Sequence, residues 1–146
     1  MLRDLSLIPL SRQHHNGLAL GVLSRRALRD DSSEASIARV ARGVVDRFDL
    51  ELLNHFQIEE QVLFPLCSDL PVVAELIAEH RRMEAMVEEL RRAPSVPIME
   101  SLFTLLTAHI RREERELFEK IQQTLGREEL DRAGVEIERR IVRVCL

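Results

Sequence analysis

Three of the five histidines in this chain are followed four residues later by a glutamate: His55 and Glu59, His80 and Glu84, His109 and Glu113. On a helix, residues four apart lie one turn above another on the same face, so each pair presents an imidazole beside a carboxylate. The pairs also fall where polar groups are costly. His55 and Glu59 interrupt an apolar stripe of Ala41, Val44, Phe48, Leu52, Val62 and Leu66. His80 and Glu84 interrupt Val73, Ile77 and Val87, and His109 and Glu113 interrupt Leu102, Leu106 and Leu117. An isolated carboxylate in an apolar core costs several kcal/mol or must protonate, and a bound cation removes that penalty by pairing the charge. A surface His–Glu ion pair contributes only a few tenths of a kcal/mol, about the least any such contact gives, and has no reason to lie on these stripes.

The other two histidines, His14 and His15, share a first helix. At about 100° per residue, the apolar group Leu18, Ala19, Leu20, Val22, Leu23 and Ala27 is centred about 50° from His15 and about 150° from His14. His15 is therefore expected to point inward, although Leu7, Leu10 and Leu28 form a second stripe that runs through His14 and keeps it open as the alternative. The candidate metal ligands are thus His15, His55, Glu59, His80, Glu84, His109 and Glu113. Six or seven donors, roughly, are too many for one tetrahedral zinc, and nitrogen and oxygen donors without thiolate suit iron, manganese or zinc. Two irons per chain is the economical cofactor, with zinc or manganese ranked behind it.

These residues need four helices to carry them. Pro9-Leu10-Ser11 can open a first helix running to about Arg29, where Asp30-Asp31-Ser32-Ser33 interrupts it. A second runs from Ser33 or Glu34 to Pro65, a third from Pro71 to about Arg92, and a fourth from about Ile98 to Leu125, with Gly126 as its C-cap. The chain beyond Gly126 fits one more short helix. Short connections favour neighbours in sequence as neighbours in space. The expected fold is all-α: an antiparallel up-down four-helix bundle with a short extra C-terminal helix. It forms a single domain over 1–146, with a core over about 5–125 and an extension over about 127–146. No internal repeat of about 20 to 50 residues is visible.

The totals agree with helix. The chain has 146 residues, 45% hydrophobic and 32% charged, with 5 Gly, 5 Pro and neither Trp nor Tyr, a balance short of the aromatic side chains that strands favour. A formal charge of -4 gives no general attraction to nucleic acid or to an anionic membrane, so neither is an expected partner. Cys67 and Cys145 belong to no metal or redox spacing and are expected as free thiols. The N-terminus has no uninterrupted apolar run, and a cytoplasmic location is expected.

The set His15, His55-x-x-x-Glu59, His80 and His109-x-x-x-Glu113, with Glu59-Glu60-x-x-Leu63-Phe64-Pro65 and Glu113-Glu114-x-x-Leu117-Phe118, resembles the hemerythrin-like HHE cation-binding family over about residues 5 to 122. The resemblance implies a four-helix bundle holding two irons, with His15, His55, His80 and His109 as terminal ligands and Glu59 and Glu113 as bridges. It departs at Glu84, where oxygen-carrying members have a second histidine. A harder carboxylate there would favour the ferric state and argue against reversible oxygen carriage, or Glu84 would stay off the metal and accept from a histidine N–H. Glu60 and Glu114 are expected at the surface or behind the ligands. The expected function is a non-haem di-iron protein that binds or senses dioxygen, peroxide, nitric oxide, or iron and redox state, with a small diatomic ligand or peroxide as its partner. The alternatives are a di-iron enzyme acting on peroxide or oxygen, and a metal-free helical interaction domain.

Overall fold

The computed structural model describes residues 1–145, and its secondary structure is helical throughout, with no strand among the described residues. Helix α1 spans Ile8–Asp30, α2 covers 34–63, α3 spans Pro71–Arg92, α4 covers 96–124, and α5 spans Arg127–Arg140. In the bundle α1 packs on α2, α2 on α3, α3 on α4, and α4 closes the ring on α1. The expected four-helix bundle with an added C-terminal helix is the observed architecture.

Local chemistry sets the helix ends. The Ser33 hydroxyl accepts from the Ser36 N–H at 3.2 Å and opens α2, while that of Ser95 accepts from Ile98 at 3.3 Å and opens α4. These side chains satisfy N–H groups that the first turn leaves without partners. Pro9, Pro71 and Pro97 sit in first turns, where a missing N–H costs nothing. Helix α4 therefore starts at Val96, before the expected Ile98. Gly126 does not cap α4, whose last residue is Thr124; it stands in extended conformation as the N-cap of α5.

Two apolar clusters stack along the bundle. One contains Phe48, Leu52, Phe56, Met83, Leu102, Phe103 and Leu106. The other contains Leu7, Leu10, Leu63, Phe64, Leu76, Leu117 and Phe118, and is closed by Leu130 and Ile137 of α5. Helix α5 rests against the lower part of α2. Its Gly134 admits the N-terminal segment, because a Cβ there would stand 2.6 Å from Ser6 Oγ. No helix is long and apolar enough to cross a membrane.

The long helices are not uniform. Helix α2 contains π-helical turns at Phe48–Leu52 and Glu59–Leu63, and α4 contains one at Glu113–Leu117. A π turn inserts one residue into the helical period and rotates everything after it, and such turns favour functional sites. From Glu60 to Cys67 the buried residues are Leu63, Phe64 and Cys67, whereas Leu66, expected on the stripe, is 37% exposed.

Candidate metal centre

Between the two apolar clusters lie six side chains with donor atoms facing one another. Among the described residues His14, His55, Glu59 and Glu113 form one group able to hold an ion, and Glu59, His80, His109 and Glu113 form a second. The two groups share both carboxylates. None of the six residues is more than 3% exposed.

Glu113 faces both ways. Its Oε2 lies 2.8 Å from His14 Nε2 and 3.8 Å from His55 Nε2; its Oε1 lies 2.7 Å from His109 Nε2 and 3.8 Å from His80 Nε2. Glu59 Oε1 is 2.8 Å from His55 Nε2 and 3.5 Å from His80 Nε2. Closeness is not matched by hydrogen bonding, because His55 Nε2, both Glu59 oxygens and Glu113 Oε1 have no hydrogen-bond partner. Each buried orphan of this kind costs about 1–3 kcal/mol, and more when charged. Atoms that converge without pairing have the arrangement required to share a cation, so the donor set fits a metal centre.

The outer nitrogens support that reading. His80 Nδ1 donates to Glu60 at 2.7 Å, His14 Nδ1 to Glu114 at 3.0 Å, His109 Nδ1 to Glu79 at 3.4 Å, and His55 Nδ1 to the Gln13 side-chain carbonyl at 2.9 Å. A carboxylate or amide oxygen only accepts, so each neutral imidazole carries its proton outside and turns the Nε2 lone pair inward. His80 Nε2 and His109 Nε2 then meet at 3.1 Å, two lone pairs that a cation between them would reconcile.

Without a cation the charges are frustrated. Burial, with the charge of Glu113 added, pushes the Glu59 carboxyl well up. Burial works against ionisation of Glu113 too, but His109 holds its carboxyl well down, with His14 and His55 contributing. Burial lowers His55 to about 3, and the neighbouring His14 adds to the effect. His14 is raised, because its bonds to Glu113 and Glu114 outweigh burial. Two adjacent carboxylates driven in opposite directions mark a site short of positive charge.

A family model for the hemerythrin HHE cation-binding domain matches residues 7–121. The chain belongs to the hemerythrin HHE family. No curated protein and no solved structure matches it significantly.

Within this HHE domain two expected site residues are not at the cluster. His15 is exposed on the outer face of α1, and His14 takes the inward place. The buried face of α1 runs through Leu10, Gln13, His14, Gly17, Gly21 and Ser24, while Val22 and Leu23 are more than half exposed. Small residues let α1 come close to its neighbours: a Cβ on Gly17 would touch Ile110 at 3.4 Å, and one on Gly21 would touch Phe103 at 3.6 Å. Averaging apolar directions therefore pointed to the wrong side of the helix. Glu84 is partly exposed and pairs with Arg81, neither at the cluster nor on a histidine N–H. The inner face of α3 passes from His80 to Met83, and Glu84 falls beside it.

The partners that sequence reasoning assigned no definite role are Glu60, Glu114, Glu79 and Gln13. A signal for two of them is the repeat Glu-Glu-x-x-Leu-Phe at residues 59–64 and 113–118. In each copy the first Glu is the shared carboxylate, and its backbone carbonyl accepts from the Phe N–H that closes the π turn. The second Glu bonds the histidine of a neighbouring helix, and the Phe stacks on that same ring: Phe64 on His80 at 5.8 Å, Phe118 on His14 at 5.4 Å. Three of the outer carboxylates are held by arginines, Glu60 by Arg81, Glu114 by Arg3 at 2.9 Å and Glu79 by Arg112 at 2.8 Å.

Proposed function

We propose that this protein is a non-haem di-iron protein that takes up or senses a small ligand, dioxygen, peroxide or nitric oxide, or reports iron and redox state. The observation that carries the reading is Glu113, whose two oxygens each face a different histidine pair. Imidazole and carboxylate donors with no thiolate among them suit iron, and Cys67 instead bonds the Leu63 carbonyl. On this reading His14 and His55 would hold one ion, His80 and His109 would hold the other, and Glu59 and Glu113 would be shared between them. Two irons would supply Lewis acidity and one-electron redox chemistry to a bound ligand.

The protein's own residues set what can reach that centre. Each ion has two histidines and two shared carboxylates, fewer donors than six-coordinate iron takes, which leaves room for a small exogenous ligand. Phe56 and Phe64 stack on the His80 ring at 3.9 and 5.8 Å, and Phe118 stacks on the His14 ring at 5.4 Å. With the cluster closed in this way, a diatomic molecule or peroxide fits the access better than an organic substrate does.

Metal analysis and an optical spectrum of the purified protein, before and after oxygen, peroxide or nitric oxide, test the proposal. Two irons per chain and a near-ultraviolet band that responds to one of these ligands are expected. Failure to retain iron after anaerobic reconstitution with ferrous salt would refute it, and rapid peroxide turnover would replace the sensing role with an enzymatic one.

A further inference from the structure

The two halves of the cluster correspond residue by residue. Gln13-His14 on α1 matches Glu79-His80 on α3, and His55 with its Glu-Glu-x-x-Leu-Phe copy on α2 matches His109 with the copy on α4. In both halves the residue preceding the first histidine reaches across to the outer nitrogen of the second: Gln13 to His55, Glu79 to His109. The correspondence breaks there. His109 is backed by a carboxylate, and His55 by a neutral amide.

That difference bears on the metal. A carboxylate behind an imidazole N–H raises the basicity of the inner nitrogen, and removing such a partner costs roughly 10–100-fold in metal affinity. An amide gives orientation with less of that effect. The His80/His109 position has a carboxylate behind both rings, whereas the His14/His55 position has one behind His14 alone.

The C-terminal segment fixes which end of the Gln13 amide faces His55. Gln13 Nε2 donates to the Val142 carbonyl at 3.0 Å and to Asn54 Oδ1 at 3.1 Å. Asn54 in turn accepts from the Val142 N–H at 3.0 Å and donates to the Arg140 carbonyl at 2.9 Å. The Val142 carbonyl can only accept, so it must meet the amide NH2, and the amide oxygen is left for His55. That oxygen requires a proton on His55 Nδ1, and so a lone pair on Nε2.

We propose that Gln13, held by the segment after α5, makes the His14/His55 position the weaker and less electron-rich of the two metal positions. Gln13 is a positioning residue, acting through His55. The inference rests on the two-metal reading above, and it places the last ion to bind, and the first to leave, on the side of the bundle that the C-terminal segment covers.

Ferrous ion titrated anaerobically into the metal-free, full-length protein tests this. The wild type fills in two steps, about tenfold or more apart. Gln13→Glu narrows the gap by about tenfold by strengthening the later step, and Glu79→Gln narrows it as much by weakening the earlier one. Asn54→Ala leaves every metal donor in place but removes the bonds that hold Arg140 and Val142 against α2, so the Val142 carbonyl no longer fixes the amide and nitrogen-15 NMR of the metal-free protein shows His55 shifting from the Nδ1–H tautomer to a mixture. A gap that is the same in Gln13→Glu, Glu79→Gln and the wild type, or a His55 that keeps its tautomer in Asn54→Ala, overturns the inference. If the wild type binds no cation, the proposed function falls and this inference with it; two ions with an unmoved gap overturn this inference alone.

Discussion

The half of the cluster around His80 and His109 and the half around His14 and His55 share the same two carboxylates and each present two imidazole rings, yet differ in what stands behind them. Behind the first are Glu60 and Glu79, each held by an arginine, Arg81 and Arg112. Behind the second are Glu114 and the Gln13 amide, which is pinned by chain from outside the four-helix bundle. When inner donors are alike, the properties of two sites can diverge only through the atoms that orient and polarise those donors. Here that role has passed on one side to residues that a ligand list would omit.

The comparison breaks most completely at the residues both halves share. Glu113→Ala removes the carboxylate that faces all four rings, so on the proposed two-ion reading metal content should fall from two ions to none, and the melting temperature with it, because ion binding is part of the folding free energy. Metal analysis and calorimetry on one preparation check this; retention of both ions would contradict the bridging role. A smaller effect separates the halves. His14→Ala should leave one ion in the His80/His109 position, and His80→Ala one ion in the other, each variant holding about half the wild-type iron. If either variant loses both ions, the halves are not independent enough to be compared.

The smallest effect concerns the side covered by chain from α5. Asp4 accepts from Arg127 at 2.6 Å, and that bond holds its carboxyl down to about 2. A folded-state pKa below the unfolded one stabilises the protein above the ordinary carboxylate range, near pH 4, and the gain disappears as pH falls toward about 2. Arg127 is largely open to solvent, so Asp4→Asn should cost less than about 1 kcal/mol at neutral pH and progressively less as pH falls through about 2. Urea denaturation at the two pH values measures the difference.

The four helices were legible because each opens on a serine cap or a first-turn proline and three of them carry a plain apolar stripe. That His55, His80, His109, Glu59 and Glu113 turn toward one another inside the bundle was legible because polar residues stood on apolar stripes. His15 was mistaken for His14 because α1 buries glycine and serine rather than its leucines, so the strongest apolar direction is the exposed one. Glu84 was misplaced by following steps of four where α3 turns inward by three, to Met83. The π turns left no mark in composition, although the repeated Glu-Glu-x-x-Leu-Phe stood where two of them fall. Gln13 carried no signal at all, since the orientation of its amide depends on Val142, distant in sequence and brought near only by α5.

Closure of the cluster also has a kinetic side. Six donors wrapped between two apolar layers, none more than 3% exposed, can exchange an ion only when neighbouring helices separate. Opening then becomes the slow step. Loss of the proposed iron to a chelator should speed up with temperature and level off with chelator concentration, so that how often the bundle breathes sets an upper limit on how fast either ion can leave.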